Sequence, residues 1–533
     1  VEKTVLKVIT SEKMHEIEFF PEAPRPAIRK PGSRWWPLKF WALVLVLAFT
    51  DSQAFDWPTA TAGEVGMDPA MLDQLDAAVR QGQYGQVKSL LVLRHGKLVY
   101  EGYFRGASAN DLQPLYSVTK SWGGALVGLA IARGELEGLD QPLAEVFSQY
   151  AAVFNAAPGK RDITIKDILT MRHGLAWDEW STSFTSPSNP VKQMTQSADW
   201  WQFVLARPQT SEPDTVFRYS TGTSNLMGAL IHSATGMSAI EYSQQHLFGP
   251  LEIHDFHLEV DLSGSPRGTG ISNFQPGLTP TGHGLWLKPR DLAKLGQLYL
   301  DGGLWQGQRI LPSKWIHDSW LRYSDESTDP TQFSNGSFYG LQWWGGVFQT
   351  PEASLKGYVA QGWADQFIIV VPQLDLVVVS NASNGNHNGE DIVDAVRSRI
   401  APATAPDFDS VNDAGITGSW VSPQLTHQGF MLEVVPTTGQ VVIYWMTFEP
   451  ETGKQMWLFA VGQMHGRRAL LEFLRPQDGV FGGSQQADLQ PWGDVDLRFT
   501  SCTQATMSFS SPIAGLAGEI SLRRITPNVY CQD

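Results

Sequence analysis

Two cysteines in 533 residues, Cys502 and Cys531, exclude a disulfide-dense scaffold. Their spacing fits neither a zinc site nor a CxxC redox motif. In an exported chain the pair reads as one disulfide, with two unrelated thiols as the alternative. Charge is scarce as well: charged residues make up 17%, and 39 Lys and Arg against 54 Asp and Glu leave a net charge of −15. No long basic run offsets that acidity, which excludes nucleic acid as a partner. No G-x-S-x-G turn occurs, which argues against an α/β-hydrolase. No segment repeats convincingly. With 42% hydrophobic residues the chain is globular, and its length predicts two or three domains. Twenty tryptophans are an unusually high number.

Residues 25–39 carry Arg25, Arg29, Lys30, Arg34 and Lys39 with no acid, and the apolar run 40-FWALVLVLAF-49 follows. That run is shorter than the ~20 residues of a spanning helix. Ser52 and Ala54 then have signal-peptidase-like spacing. The expectation is a leader over 1–54, with a true start at Met14, cleavage after Ala54 and a periplasmic or secreted mature protein. A membrane anchor is the alternative, and no stable insertion is expected after cleavage.

Helical patterns are predicted at 67–83, from Ser117 to Arg133-Gly134, at 222–236, 290–302 and 389–400, and 165-IKDILTMRHGL-175 reads as a short helix followed by a loop. Strand pairs are predicted at 89–104 around His95-Gly96 and at 366–380 around Pro372 to Leu374. A loop-rich insertion over 176–215 contains Trp177, Trp180, Trp200 and Trp201. Strands at both ends of this unit with helices between them suggest an antiparallel sheet with a helical lobe, class α/β or α+β. The domains read as 55–400, an Ala/Pro-rich linker 401–412, and a small all-β domain 413–533.

The stretch 116-YSVTKSWGGALVGLA-130 places Lys120 near the start of a segment with no polar face. Such a helix is buried. Burial lowers a lysine pKa, and a neutral amine can take a proton. Ser117 lies three residues before it, on the same helical face, and its hydroxyl needs a base to become a nucleophile. Tyr219, in 217-FRYSTGTSNLMGALI-231, precedes a turn into an apolar helix and can move protons. The Gly-containing turn in 358-YVAQGWADQFIIVVP-372 feeds an apolar strand whose edge N–H can form an oxyanion hole with that of Ser117.

These motifs, with DILTMRHGL and HGLWLKPRDLAKLGQLYLDGG in order between them, resemble the serine hydrolases related to class C β-lactamases and penicillin-binding proteins. The resemblance spans about residues 65–400 and is nearest to the carboxylesterase and 6-aminohexanoate-oligomer hydrolase branches. It implies a β-lactamase-like fold, Ser117 as acylated nucleophile, Lys120 as base, Tyr219 as general acid/base, and the N–H of Gln366 as second oxyanion donor. It implies no cofactor and no metal. Trp363 falls where many relatives carry Lys or His, as in some family esterases. Ala364 and Asp365 depart from the motif, which weakens the β-lactamase and DD-peptidase readings. Asp365 is expected to favour a cationic or neutral substrate. Thr221 stands at the family's asparagine position. His283, Trp177 and Trp180 are expected to line the cleft with Trp363, Asp365 and Thr221. Trp343 and Trp344 are open between cleft and core. His173 is expected to be structural, and His254 and His257 lack a third metal ligand. The expected function is an exported serine hydrolase of a small ester or amide. The alternative is a non-catalytic envelope-binding protein on the same fold.

Overall fold

The computed structural model describes residues 55–259, 277–328, 337–349, 354–385, 390–404, 416–435, 440–465, 467–477, 488–511 and 513–526. The leader, its cleavage position, the linker from 405 onward and Cys531 lie outside the described residues. Cys502 is disulfide-bonded. No described helix is long and apolar enough to cross a membrane.

Four helices frame the sheet-containing domain: α1 (Pro69–Arg80), α2 (Thr119–Ala132), α3 (Thr221–Thr235) and α4 (Pro289–Leu300). Seven strands form its antiparallel sheet: β1 (Val87–Arg94), β2 (Lys97–Tyr103), β3 (Phe338–Tyr339), β4 (Trp344–Gln349), β5 (Ser354–Gly362), β6 (Gln366–Val371) and β7 (Leu376–Ala382). Their order is β2-β1-β7-β6-β5-β4-β3. The chain leaves the sheet after β2, builds the helical lobe, and returns at β3. Strands β6 and β7 are buried at every position. Central strands covered on both faces have this character. Alternate side chains serve two cores. Ile368, Val370, Val377 and Val379 face α4 and the helical lobe. Phe367, Ile369, Val371 and Val378 face α1 and the C-terminal residues Ile392, Val396 and Ile400.

Helix α2 is buried from Thr119 to Ala130, as its all-apolar surface predicts. It packs close to α3: a Cβ on Gly123 would stand 2.7 Å from Met227 Cε. Helix α1 begins as expected, with Asp68 accepting from the Ala70 N–H and Pro69 in the first turn. The 176–215 insertion is not all loop. It contains short helices at Pro190–Gln196 and Trp200–Leu205, capped by Asn189 and Asp199. Ala401–Ala403, read from sequence as the start of a spacer, forms a last helical turn. Its alanines are buried, and the Ala403 carbonyl accepts from the Asp68 N–H at 2.8 Å.

The C-terminal strands, from Gly418–Val421 to Leu516–Arg524, close into an eight-stranded barrel. Closure pairs Trp420 with Arg524 and Val421 with Arg523. The strand Gln440–Phe448 shows the inward-outward alternation of a filled barrel. Trp420, Phe430, Trp445, Phe473, Trp492 and Phe499 fill the interior.

A buried ion network joins the barrel to the sheet-containing domain. Arg468 grips Asp496 with two bonds of 2.7 and 2.6 Å. It also donates to the Leu300 carbonyl and to Asp301 Oδ1, at the end of α4. Arg498 adds a bond to Asp301. Arg468 and Asp496 are 7% and 3% exposed. Removing one member of a buried pair strands the other's charge. Arg468→Met is therefore expected to lower unfolding free energy by about 3–5 kcal/mol. Denaturant titration followed by tryptophan fluorescence measures this; an unchanged midpoint contradicts it.

Candidate active site

The chain enters the site through a 3₁₀ turn, Tyr116–Val118, that runs directly into α2. Tyr116 has φ 45°, a left-handed conformation unusual for a bulky residue. Such strain persists where the surroundings fix it, and it collects at functional sites. Here it sets Ser117, half-buried, at the mouth of the helix.

Lys120 follows one turn later and is 2% exposed. Its Nζ donates toward three oxygens: Ser117 Oγ at 2.9 Å, Thr221 Oγ1 at 3.1 Å and the Gly282 carbonyl at 2.7 Å. Burial pulls its pKa down from 10.5 to about 8, against an upward pull from Glu179. Tyr219 sits two residues before α3. Its ring centroid is 4.9 Å from Lys120 Nζ, and Trp344 stacks on it at 6.1 Å. Burial raises the phenol pKa well above its ordinary value, and the Glu179 charge adds to this; a hydrogen bond with Ser117 opposes it. Ser117, Lys120, Tyr219 and Thr221, scattered in the sequence, thus meet at one point.

The other predicted residues divide. Trp180 and Trp363 are 54% and 46% exposed. Trp180 tilts over Tyr219 at 5.7 Å, and Phe184 bridges Trp180 and Trp363 at 5.7 and 6.3 Å. Together they form an aromatic arc beside Ser117. Trp177 is buried instead, its ring against Gly222, its Nε1 donating to Glu179. His283 is buried and stacked on Trp200 at 6.0 Å. His173 takes the Leu175 N–H on Nδ1 and places Nε2 3.1 Å from the Arg218 carbonyl, a structural role. Trp343 lies in the core, whereas Trp344 supports Tyr219.

Asp365, expected to face a substrate, has a different orientation. Ala364 and Asp365 both have left-handed backbones, φ 61° and 68°. This turn sends the Asp365 carboxylate inward, where it accepts from Asn384 Nδ2 at 2.6 Å. Gln366 holds the same turn: its Nε2 donates to the carbonyls of Trp363, Ala364 and Ala382. Gln366 pairs with Gly362 across the β5–β6 hairpin. Gly362 lies against the Tyr116–Val118 turn, so near that a Cβ there would be 3.2 Å from Ser117 N.

Sequence reading missed Glu179. It is 1% exposed. Its carboxylate accepts from Thr221 N–H at 2.7 Å, Thr221 Oγ1–H at 2.8 Å and Trp177 Nε1–H at 2.5 Å. Its backbone carbonyl accepts from Asn189 Nδ2 at 3.0 Å. It lies in a loop without periodicity and reaches a partner 42 residues away. Its one sequence signal was position, between Trp177 and Trp180 in the tryptophan-rich insertion. Among the described residues no group of three His, Cys, Asp or Glu is arranged to hold a metal.

The family model for Beta-lactamase matches residues 75–402. A 6-aminohexanoate-dimer hydrolase from Paenarthrobacter ureafaciens is 25% identical over 315 residues, which are 55% of this chain and 72% of that protein. Among solved structures, a Bacillus anthracis protein provisionally named a 6-aminohexanoate-dimer hydrolase superposes with TM-score 0.51 at 19% identity. The match covers 66% of this chain and 88% of that one. An octameric penicillin-binding protein homologue from Pyrococcus abyssi is 16% identical at TM-score 0.46, covering 85% and 100% of the two chains. The family match extends over more than half of the chain and contains Ser117, Lys120 and Tyr219, so this protein belongs to the Beta-lactamase family of hydrolases and is related to the 6-aminohexanoate-dimer hydrolases.

Proposed function

We propose that the protein is an exported serine hydrolase that cleaves a small ester or amide through an acyl-enzyme on Ser117. The observation that carries this reading is the enclosed Lys120 amine, 2.9 Å from Ser117 Oγ. In its neutral form Lys120 takes the Ser117 proton as Oγ attacks the substrate carbonyl carbon. The N–H groups of Ser117 and Gln366 hold the oxyanion. Tyr219, kept protonated by burial, gives its proton to the departing oxygen or nitrogen and regains one from the Lys120 ammonium. Water then attacks the acyl-enzyme along the reverse proton path and frees Ser117.

The substrate class follows from the walls. Trp180, Phe184 and Trp363 offer aromatic faces, and position 363 has no cation to pair with a carboxylate. A neutral substrate with an apolar acyl or leaving group suits them. The linear amide link of a 6-aminohexanoate dimer, named for the curated relative and offered with both charged ends blocked, is the first amide to try.

A fluorophosphonate probe is expected to label Ser117, and p-nitrophenyl esters of short acids are expected to be hydrolysed. The neutral amine is the active form, so kcat/KM is expected to rise with pH through about 8 and level off above it. Failure of both labelling and hydrolysis in folded protein overturns the proposal in favour of a binding role. An acid limb near 10.5, the ordinary lysine value, would mean that burial does not hold Lys120 neutral.

A further inference from the structure

A base needs a lone pair aimed at the proton it removes. Neutral Lys120 has two N–H bonds and one lone pair. Three oxygens surround its Nζ, at Gly282 O, Thr221 Oγ1 and Ser117 Oγ. The Gly282 carbonyl can only accept. The Thr221 hydroxyl can donate or accept, so on its own it does not decide where the lone pair points. If it donated to Lys120, it would occupy the lone pair and leave Ser117 without a base.

Glu179 removes the ambiguity. All its side-chain partners are donors: Thr221 N–H, Thr221 Oγ1–H and Trp177 Nε1–H. With its one hydrogen committed to Glu179 Oε1, Thr221 Oγ1 presents only lone pairs to Lys120. Both amine hydrogens then go to Gly282 O and Thr221 Oγ1, and the remaining lone pair faces Ser117.

We infer that Glu179 is a positioning residue that acts through the Thr221 hydroxyl to aim the Lys120 lone pair at Ser117. The inference rests on the serine-hydrolase reading above.

Glu179 has a second, opposing effect. Its charge pulls the Lys120 pKa upward, toward the inactive ammonium. Among the described residues Glu179 is the charged group that acts on the amine. Tyr219 and Tyr339 are held protonated by burial. His283 stacks on Trp200, Glu259 acts on Tyr116, and Asp365 is turned to Asn384. Replacing Glu179 therefore changes orientation and pKa separately.

In Glu179→Gln the amide oxygen belongs where two donors converge, at the present Oε2, which turns the amide NH₂ toward Thr221 Oγ1. The threonine hydroxyl must then accept from it and swing its hydrogen onto Lys120. The plateau kcat/KM for a p-nitrophenyl ester and the rate of fluorophosphonate labelling are expected to fall at least about tenfold. The acid limb of both is expected to move below about 8, since a negative charge has gone and the lone pair is occupied. A structural disturbance that opened the site to water would move the limb the other way, toward 10.5. Thr221→Val is expected to lose rate similarly, and Thr221→Ser to recover most of that loss. The inference is overturned if folded Glu179→Gln keeps the wild-type labelling rate and limb, if the limb moves to alkaline pH, or if Thr221→Ser is as slow as Thr221→Val. Wild-type protein that neither labels nor hydrolyses defeats the parent reading, and this one with it. A wild type that does both, beside an unaffected Glu179→Gln, defeats only this one.

Discussion

Lys120→Met is expected to reduce kcat/KM for an aryl ester by about 10³-fold, within the range seen for loss of a positioned base. Methionine keeps the length and apolar character that a 2%-exposed position demands. What it removes is the one group able to take the Ser117 proton at 2.9 Å. The alternative acceptors are poor: the Tyr219 phenol is held protonated, and the Glu179 carboxylate is already engaged by three donors. Stability is expected to change little. Losing the amine leaves the Gly282 carbonyl without its donor, at about 1–3 kcal/mol. The amine's own desolvation cost disappears with it. The decisive comparison is with Ser117→Ala and the double variant. Residues that act as one unit lose their contribution together, so the double variant is expected to be no slower than either single one. Additive losses would mean that serine and lysine work independently. A Lys120→Met protein with near-normal turnover would end the mechanism.

The parts of this protein that sequence discloses are those whose physics is local. Ser117 and Lys120 are one helical turn apart, and the apolar run behind them already implies burial. The central strands announce themselves because 366-QFIIVV-371 and 376-LVVVS-380 are apolar on both faces. Tyr219 needs the fold to bring it to Lys120, yet its motif and order were readable. Glu179 was not, because a lone acid in an irregular loop has no periodicity, and only tertiary structure supplies its three donors. Asp365 failed for a related reason. Its side-chain direction depends on two consecutive left-handed residues, an unusual conformation that neither Ala364 nor Asp365 advertises. Trp177 and Trp180 are near neighbours in one loop with opposite fates, one packed on Gly222 and the other 54% exposed. Barrel closure between Trp420 and Arg524 joins residues about a hundred positions apart, beyond the reach of any local pattern.

Gly362→Ala is expected to be nearly as damaging as loss of a reacting group, although residue 362 touches no substrate. A Cβ at this position would lie 2.2 Å from the Leu115 carbonyl oxygen and 3.2 Å from Ser117 N. Both neighbours are backbone, so no side chain can rotate out of the way. Either β5 retreats or the nucleophile turn does. Strand β5 is hydrogen-bonded on both edges, to β4 and β6. The turn is already strained at Tyr116, with φ 45°, and carries the proposed nucleophile and one of the two proposed oxyanion donors. Whichever side yields, Ser117 N and the Gln366 strand separate by a large fraction of an ångström. Misplacement on that scale costs about 10²-fold in rate. The expected result is a kcat about 100-fold lower with KM little changed, since the aromatic arc of Trp180, Phe184 and Trp363 remains. Overpacking by one methyl group is expected to lower stability by about 1–3 kcal/mol, which thermal unfolding measures separately from rate. Fluorophosphonate labelling discriminates the cause: a displaced nucleophile slows labelling as much as turnover. Folded Gly362→Ala that labels and turns over at the wild-type rate would mean that the hairpin is not held against Ser117, and that the second oxyanion donor must be sought elsewhere than Gln366.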